Sequence, residues 1–168
     1  MENYNELNTN KKYKVLFVCL GNICRSPGAE AIMKALVKRE GVEQEFYIDS
    51  AGLYGGHAGD LPDERMRRYA ARRGYQLDSR ARTFYPSADF AEFDLIVGMD
   101  NQNIAGLRQL AETKEELAKI FKMTDFCQKP TRYTEVPDPY YEGAEGFELV
   151  LDLLEDAVEG LLKYCQSR

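Results

Sequence analysis

The sequence has no tryptophan and only one histidine, His57, and its four cysteines, Cys19, Cys24, Cys127 and Cys165, form no Cys-x-x-Cys pair. With no second histidine and no paired cysteines at ligand spacing, a zinc site is not expected, and neither is any other metal or cofactor. An excess of positive charge is also lacking. The 22 basic residues stand against 28 acidic ones, a formal charge of -6, which is the wrong sign for a protein that holds nucleic acid through its phosphates. No stretch approaches the ~18 uninterrupted apolar residues that a membrane span requires. The polar run from Met1 to Lys14 carries neither an apolar signal core nor a small-residue cleavage site. These absences point to a cytoplasmic protein with reduced thiols, whose cysteines are either small buried hydrophobes or reactive groups.

What is present is globular. The chain has 168 residues, 44% of them hydrophobic and 30% charged, enough for one core without disulfides. Residues 1–11 read as a flexible polar tail and 12–168 as a single domain. Tyr13 to Cys19 (YKVLFVC) is an apolar, β-branched run suited to a buried parallel strand. Ser26-Pro27 then reads as an N-cap and first helical residue, with Ala29, Ile32, Met33, Leu36 and Val37 on one helical face. Glu45 to Ala51 predicts a second strand. Leu61-Pro62 opens a helix that runs through Arg73, with Gly74 as its C-terminal cap. Asp94 to Met99 predicts a third strand, Asn101 to Glu112 a helix, and Lys119 to Met123 a fourth strand. Phe147, Val150, Leu151, Leu154, Val158, Leu161, Leu162 and Cys165 define a long amphipathic last helix. The alternation implies an α/β, three-layer, single-domain fold: a central four-stranded parallel sheet with helices on both faces. The active site is then expected at the carboxyl ends of the strands, where Cys19 lies.

The chemistry concentrates in Cys19-Leu20-Gly21-Asn22-Ile23-Cys24-Arg25-Ser26. Cysteine and arginine six positions apart are weak evidence alone. Here, however, the pair follows a buried strand and opens a helix, with Gly21 and Asn22, which readily adopt positive φ, between them. Such a loop can turn the amides of Leu20 through Ser26 inward as an anion-binding nest at a helix N-terminus, making this a phosphate-binding loop after the first strand. Arg25 adds a planar, permanently cationic fork for phosphoryl oxygens. The same field favours the thiolate of Cys19, and Ser26 is placed to donate a hydrogen bond to it. Far along the chain, Val136-Pro137-Asp138-Pro139-Tyr140-Tyr141 holds an aspartate between two prolines that stiffen its loop. A carboxylic acid is what a thiolate attack on an aryl phosphate needs, because the aryl oxide leaves poorly without a proton.

These two segments resemble the motifs of the low-molecular-weight protein tyrosine phosphatases, V-C-x-G-N-I-C-R-S-P near the N-terminus and D-P-Y near the C-terminus. The likeness extends from about Tyr13 onward and includes Asp49-Ser50-Ala51-Gly52 and Met99-Asp100. The resemblance implies a metal-free hydrolase acting on tyrosine-phosphorylated proteins, with 12–168 as the phosphatase domain and a tyrosine kinase as an opposing partner. By matching position, Cys19 is the nucleophile that forms a phosphocysteine, Arg25 the transition-state clamp, and Asp138 the general acid and then base. Asn22 and Ser50 match residues that hold the loop in shape. Cys24 matches a second loop cysteine able to form a reversible disulfide with the nucleophile. Ile23 matches tyrosine-directed members, whereas phosphoarginine-directed relatives carry threonine there. Tyr140 matches a cleft tyrosine that stacks on the substrate ring.

One departure is visible. Family members often carry an aromatic residue about six positions after Ser50, where this chain has Gly56, so the opposite cleft wall is either open or supplied by Leu53, Tyr54 or His57. His57 itself reads as a solvated loop residue. Two alternative activities are an arsenate reductase of the same fold and a phosphocarrier module that does not hydrolyse its phosphate. The thioredoxin-coupled reductase uses further cysteines in mid-chain, and none lies between Cys24 and Cys127. A phosphocarrier has no use for Asp138. The arginines from Arg65 to Arg73, with Arg80 and Arg82, suggest a basic face toward acidic proteins, set against a simple solvated helix surface.

Overall fold

The computed structural model describes residues 12–139 and 143–168. The chain runs through β1 (Tyr13–Cys19), α1 (Arg25–Arg39), β2 (Phe46–Gly52), α2 (Glu64–Arg72), α3 (Pro86–Glu92), β3 (Leu95–Gly98), α4 (Asn101–Leu110), α5 (Lys114–Leu117), β4 (Ile120–Lys122) and α6 (Ala144–Gln166). The four strands form one parallel sheet in the order β2-β1-β3-β4. The sheet extends first to one side of β1 and then to the other, so the crevice between the ends of β1 and β3 is a topological switch point. The loops that leave Cys19 and Gly98 open onto it.

Residues of β1 alternate between the two sheet faces, as strand geometry requires. Val15, Phe17 and Cys19 join the larger core against α1 and α6, where Met33, Leu36, Phe147, Leu151, Leu154 and Val158 are buried. Leu16 and Val18 face the smaller core of Phe84, Phe90, Phe93 and Leu107, against α3 and α4. This alternation places the Cys19 side chain on the α1 side of the sheet, directly before the helix that follows it. Each apolar position predicted for the last helix is buried in α6. No helix among the described residues is long and apolar enough to cross a membrane.

Two predicted helix starts need correction. The first helix begins at Arg25, with Cys24 as N-cap and no capping side chain, so Ser26 and Pro27 are its second and third residues. The Ser26 hydroxyl is turned instead toward Cys19 and Asn22. Pro27 is tolerated there because first-turn amides have no intrahelical acceptor in any case. The second helix begins at Glu64, two residues beyond Pro62. Its start is set by Asp63, whose carboxylate accepts from the amides of Arg65 and Met66. Gly74 follows that helix at φ +90°, as its role as a stop requires. The short helix α3 was not anticipated. The predicted basic face is partly consumed internally: Arg73 is paired with Glu148, Asp152 and Glu155, and Arg82 with Asp49 and Asp89.

Candidate active site

The loop between β1 and α1 is built around Asn22, the only described non-glycine residue with positive φ, at +56°. Asparagine accepts this left-handed conformation more readily than most residues, and its amide then becomes the centre of a buried network. The backbone N–H of Arg82 donates to Asn22 Oδ1 at 2.9 Å, which fixes the orientation of the amide. Asn22 Nδ2 is left to donate both hydrogens, to Ser26 Oγ at 2.8 Å and to Ser50 Oγ at 3.0 Å. The Ser50 hydroxyl donates to Glu30 Oε1 at 2.5 Å, and Lys34 Nζ donates to the other carboxylate oxygen of Glu30. Ser26 Oγ, already an acceptor from Asn22, has its single hydrogen free for Cys19 Sγ, 3.0 Å away. The network therefore runs in one direction and ends with a donor on sulfur.

Arg25 is 3% exposed at its side chain, and buried charge needs partners. Its Nη1 donates to Asp100 Oδ2 at 2.7 Å and to the Val136 carbonyl at 2.9 Å, and Nη2 lies 3.7 Å from Asp138 Oδ2. Burial opposes this charge, yet Cys19 sulfur and the carboxylates of Asp100 and Asp138 hold the guanidinium above its ordinary value. Asp100 also caps α4, accepting from the Asn103 amide while the Asn103 side chain returns a bond to the Asp100 backbone. The arginine that opens α1 is thus clamped to the N-terminus of α4 across the switch point. Burial, reinforced by the carboxylate of Asp63, pushes the Cys24 thiol up, so within one loop Cys24 is held as the neutral thiol. Cys19 Sγ itself has the Ser26 hydroxyl at 3.0 Å and shares its cleft with the Arg25 guanidinium.

Cys19, Leu20, Gly21, Ile23, Cys24, Arg25, Tyr54, His57 and Asp138 line a single cleft of about 320 Å³ at the carboxyl end of β1. Asp138 stands at the rim with 49% of its side chain exposed. A larger cavity of about 1050 Å³ lies at the opposite end of the strands, lined by Glu43, Glu45 and Asp94 together with Lys12 and Arg168, and holds none of the residues singled out for chemistry. Of the residues singled out from sequence, Cys19, Leu20, Gly21, Ile23, Cys24, Arg25 and Asp138 come together in the cleft, and Asn22 and Ser26 stand behind it. Tyr140, together with Tyr141 and the tail 1–11, lies outside the described residues. Asp100 and the Val136 carbonyl were missed as partners of Arg25. The Asp-x-x-Asn capping box was the one local signal that Asp100 begins a helix. Of the three residues offered for the opposite cleft wall, Tyr54 and His57 line the cleft, and His57 remains partly exposed.

Among known proteins, a low molecular weight protein-tyrosine-phosphatase of Streptomyces coelicolor is 42% identical over 151 residues, spanning 89% of this chain and 92% of that protein. The solved structure of a protein tyrosine phosphatase from Entamoeba histolytica superposes with a TM-score of 0.89 at 47% identity, over 93% of this chain and 98% of that one. A Drosophila arginine phosphatase gives a TM-score of 0.83 at 34% identity, over 90% of this chain and 96% of that one. The profile of the low molecular weight phosphotyrosine protein phosphatases matches residues 14–168. With the four-stranded parallel sheet and the Cys19 loop at its switch point, this match means that the chain belongs to that family.

Proposed function

We propose that residues 12–168 form the phosphatase domain and hydrolyse protein phosphotyrosine through a phosphocysteine on Cys19. The observation that carries this reading is that Cys19 Sγ, the Arg25 guanidinium and the Asp138 carboxylate share one cleft, with Ser26 bonded to the sulfur. The phosphoryl group lies against the amides of the 20–25 segment, and Arg25 spans two of its oxygens. Cys19 attacks phosphorus in line with the ester oxygen; the S–P bond forms as the P–O bond breaks. Asp138 gives its proton to the departing tyrosyl oxygen. As carboxylate it then takes a proton from water, whose oxygen attacks phosphorus. Inorganic phosphate leaves and the Cys19 thiolate is restored. Asp100 and the Val136 carbonyl keep Arg25 aimed throughout, so that little reorganisation is needed as charge develops.

The aryl preference is supported by Ile23, Leu20 and Tyr54, which give the cleft apolar walls. Tyrosine-phosphorylated proteins in the cytoplasm, countered by a tyrosine kinase, are the substrates this chemistry suits. The test is turnover of phosphotyrosine, phosphoserine and phosphoarginine peptides by the parent, Cys19→Ser and Asp138→Asn. Phosphotyrosine is expected to be the preferred substrate, Cys19→Ser to be inactive, and Asp138→Asn to lose roughly 10²- to 10⁴-fold in kcat. Asp138→Asn turning over at the parent rate, or phosphoarginine exceeding phosphotyrosine, would overturn the assignment.

A further inference from the structure

Among the described residues, Leu20 and Tyr54 are two large apolar side chains left exposed, at 51% and 59%, and both stand in the cleft wall. Tyr54 is fixed there by backbone. Its N–H donates to the Leu20 carbonyl at 2.8 Å, and the N–H of Leu53 donates to the Cys19 carbonyl at 3.1 Å, stitching this segment to the loop. The position of the ring depends on a missing side chain: a Cβ at Gly56 would overlap Tyr54 at Cε1, Cζ and Oη. Tyr54 and His57 form a T-shaped pair, 6.3 Å between ring centroids at an interplanar angle of 86°. His57 in turn lies close on the loop, since a Cβ at Gly21 would come within 3.2 Å of His57 Cδ2. Two rings are therefore packed over bare backbone at two glycines, forming a wall continuous with the residues that surround Cys19.

We infer that Tyr54 is a specificity-determining residue whose ring packs on the aryl ring of the substrate, and that Gly56 acts by leaving room for that ring. The inference rests on the reading of this cleft as a phosphotyrosine site. The loop amides and Arg25 engage only the phosphoryl group and treat aryl and alkyl esters alike. Discrimination between them falls to whatever touches the group beyond the ester oxygen. An exposed aromatic in the wall of the cleft that holds Cys19 and Arg25 is suited to that contact, and such pairs change binding by about three- to ten-fold. Gly56 is not among the residues lining the cleft, so its effect passes through Tyr54.

The experiment measures kcat/KM on a phosphotyrosine peptide and on a phosphoserine peptide, with inhibition by inorganic phosphate as a readout of the loop. Tyr54→Ala is expected to lower kcat/KM about three- to ten-fold on the aryl ester, through KM, with little effect on the alkyl ester or on phosphate inhibition. Tyr54→Phe retains the parent value, because the ring and not the hydroxyl makes the contact. Gly56→Ala produces a comparable loss in the parent but none when added to Tyr54→Ala. Equal losses on both esters, failure of Tyr54→Phe to rescue, or a Gly56→Ala loss that persists without Tyr54 would overturn the inference while leaving the phosphatase reading intact. A parent enzyme with no turnover of phosphotyrosine would instead defeat the reading on which it rests.

Discussion

Replacing Asn22 tests whether its amide holds the loop in shape. The side chain is 2% exposed and makes three hydrogen bonds, to the Arg82 amide, Ser26 Oγ and Ser50 Oγ, from a backbone at φ +56°. Asn22→Gly deletes all three bonds but tolerates the left-handed backbone; at about 1 kcal/mol each, the loss is about 3 kcal/mol. Asn22→Ala deletes the same bonds and adds about 1–2 kcal/mol for a Cβ in that conformation. The alanine variant is therefore expected to be worse than the glycine variant, contrary to the usual ranking of these residues. If the whole cost falls on keeping the loop competent, kcat/KM on a phosphotyrosine peptide drops about 10²-fold for glycine and about tenfold more for alanine. Urea unfolding of the same variants separates the share borne by global stability. Alanine equal to or better than glycine, or both within about twofold of the parent, would refute the claim that this network sets the loop.

Two further outcomes concern the scaffold. Gly160→Ala in α6 is expected to destabilise although alanine is the better helix former by about 1 kcal/mol, because its Cβ would overlap the Phe126 carbonyl oxygen. Because the clash is with a backbone atom that cannot swing aside, the overpacking falls at or above the upper end of about 1–3 kcal/mol and outweighs that gain, read as a fall in Tm; a rise in Tm would contradict the packing. Burial, with a contribution from Asp94, pushes the Cys165 thiol from 9.0 up to about 12. The folded-state value is raised, so the stability from keeping this thiol neutral is fully present below pH 9.0 and is lost as pH rises toward about 12. The urea midpoint of the parent should fall over that window more steeply than that of Cys165→Ala, and parallel pH profiles would contradict the assignment.

What could be read from the sequence was whatever is encoded locally. The run from Tyr13 to Cys19, the Gly21-Asn22 turn and the apolar periodicity of α6 each reflect short-range rules, and the Cys19 loop follows from them; strand order and register join segments far apart in the chain and come from the structure alone. The clamp on Arg25 was not legible, since Asp100 is 75 residues away and reaches it only because β3 pairs with β1. Ser26 was misread as a cap because a serine before a proline looks the same whether its hydroxyl serves a helix amide or, as here, a sulfur and a buried asparagine. The helix α3 was hidden by its length of seven residues, too short for a periodic signal. The cleft wall was legible only as a choice among Leu53, Tyr54 and His57, because the overlap that a Cβ at Gly56 would make with the Tyr54 ring exists only in the folded chain.

The proposed hydrolysis passes through a covalent bond between phosphorus and Cys19 Sγ. Rapid quenching of Asp138→Asn during turnover of an activated aryl phosphate, followed by peptide mapping by mass spectrometry, measures it directly. The account predicts one phosphate on the peptide containing Cys19, absent from the Cys19→Ser/Asp138→Asn double variant. Phosphate on Cys24, on His57 or on no residue while turnover proceeds would contradict it.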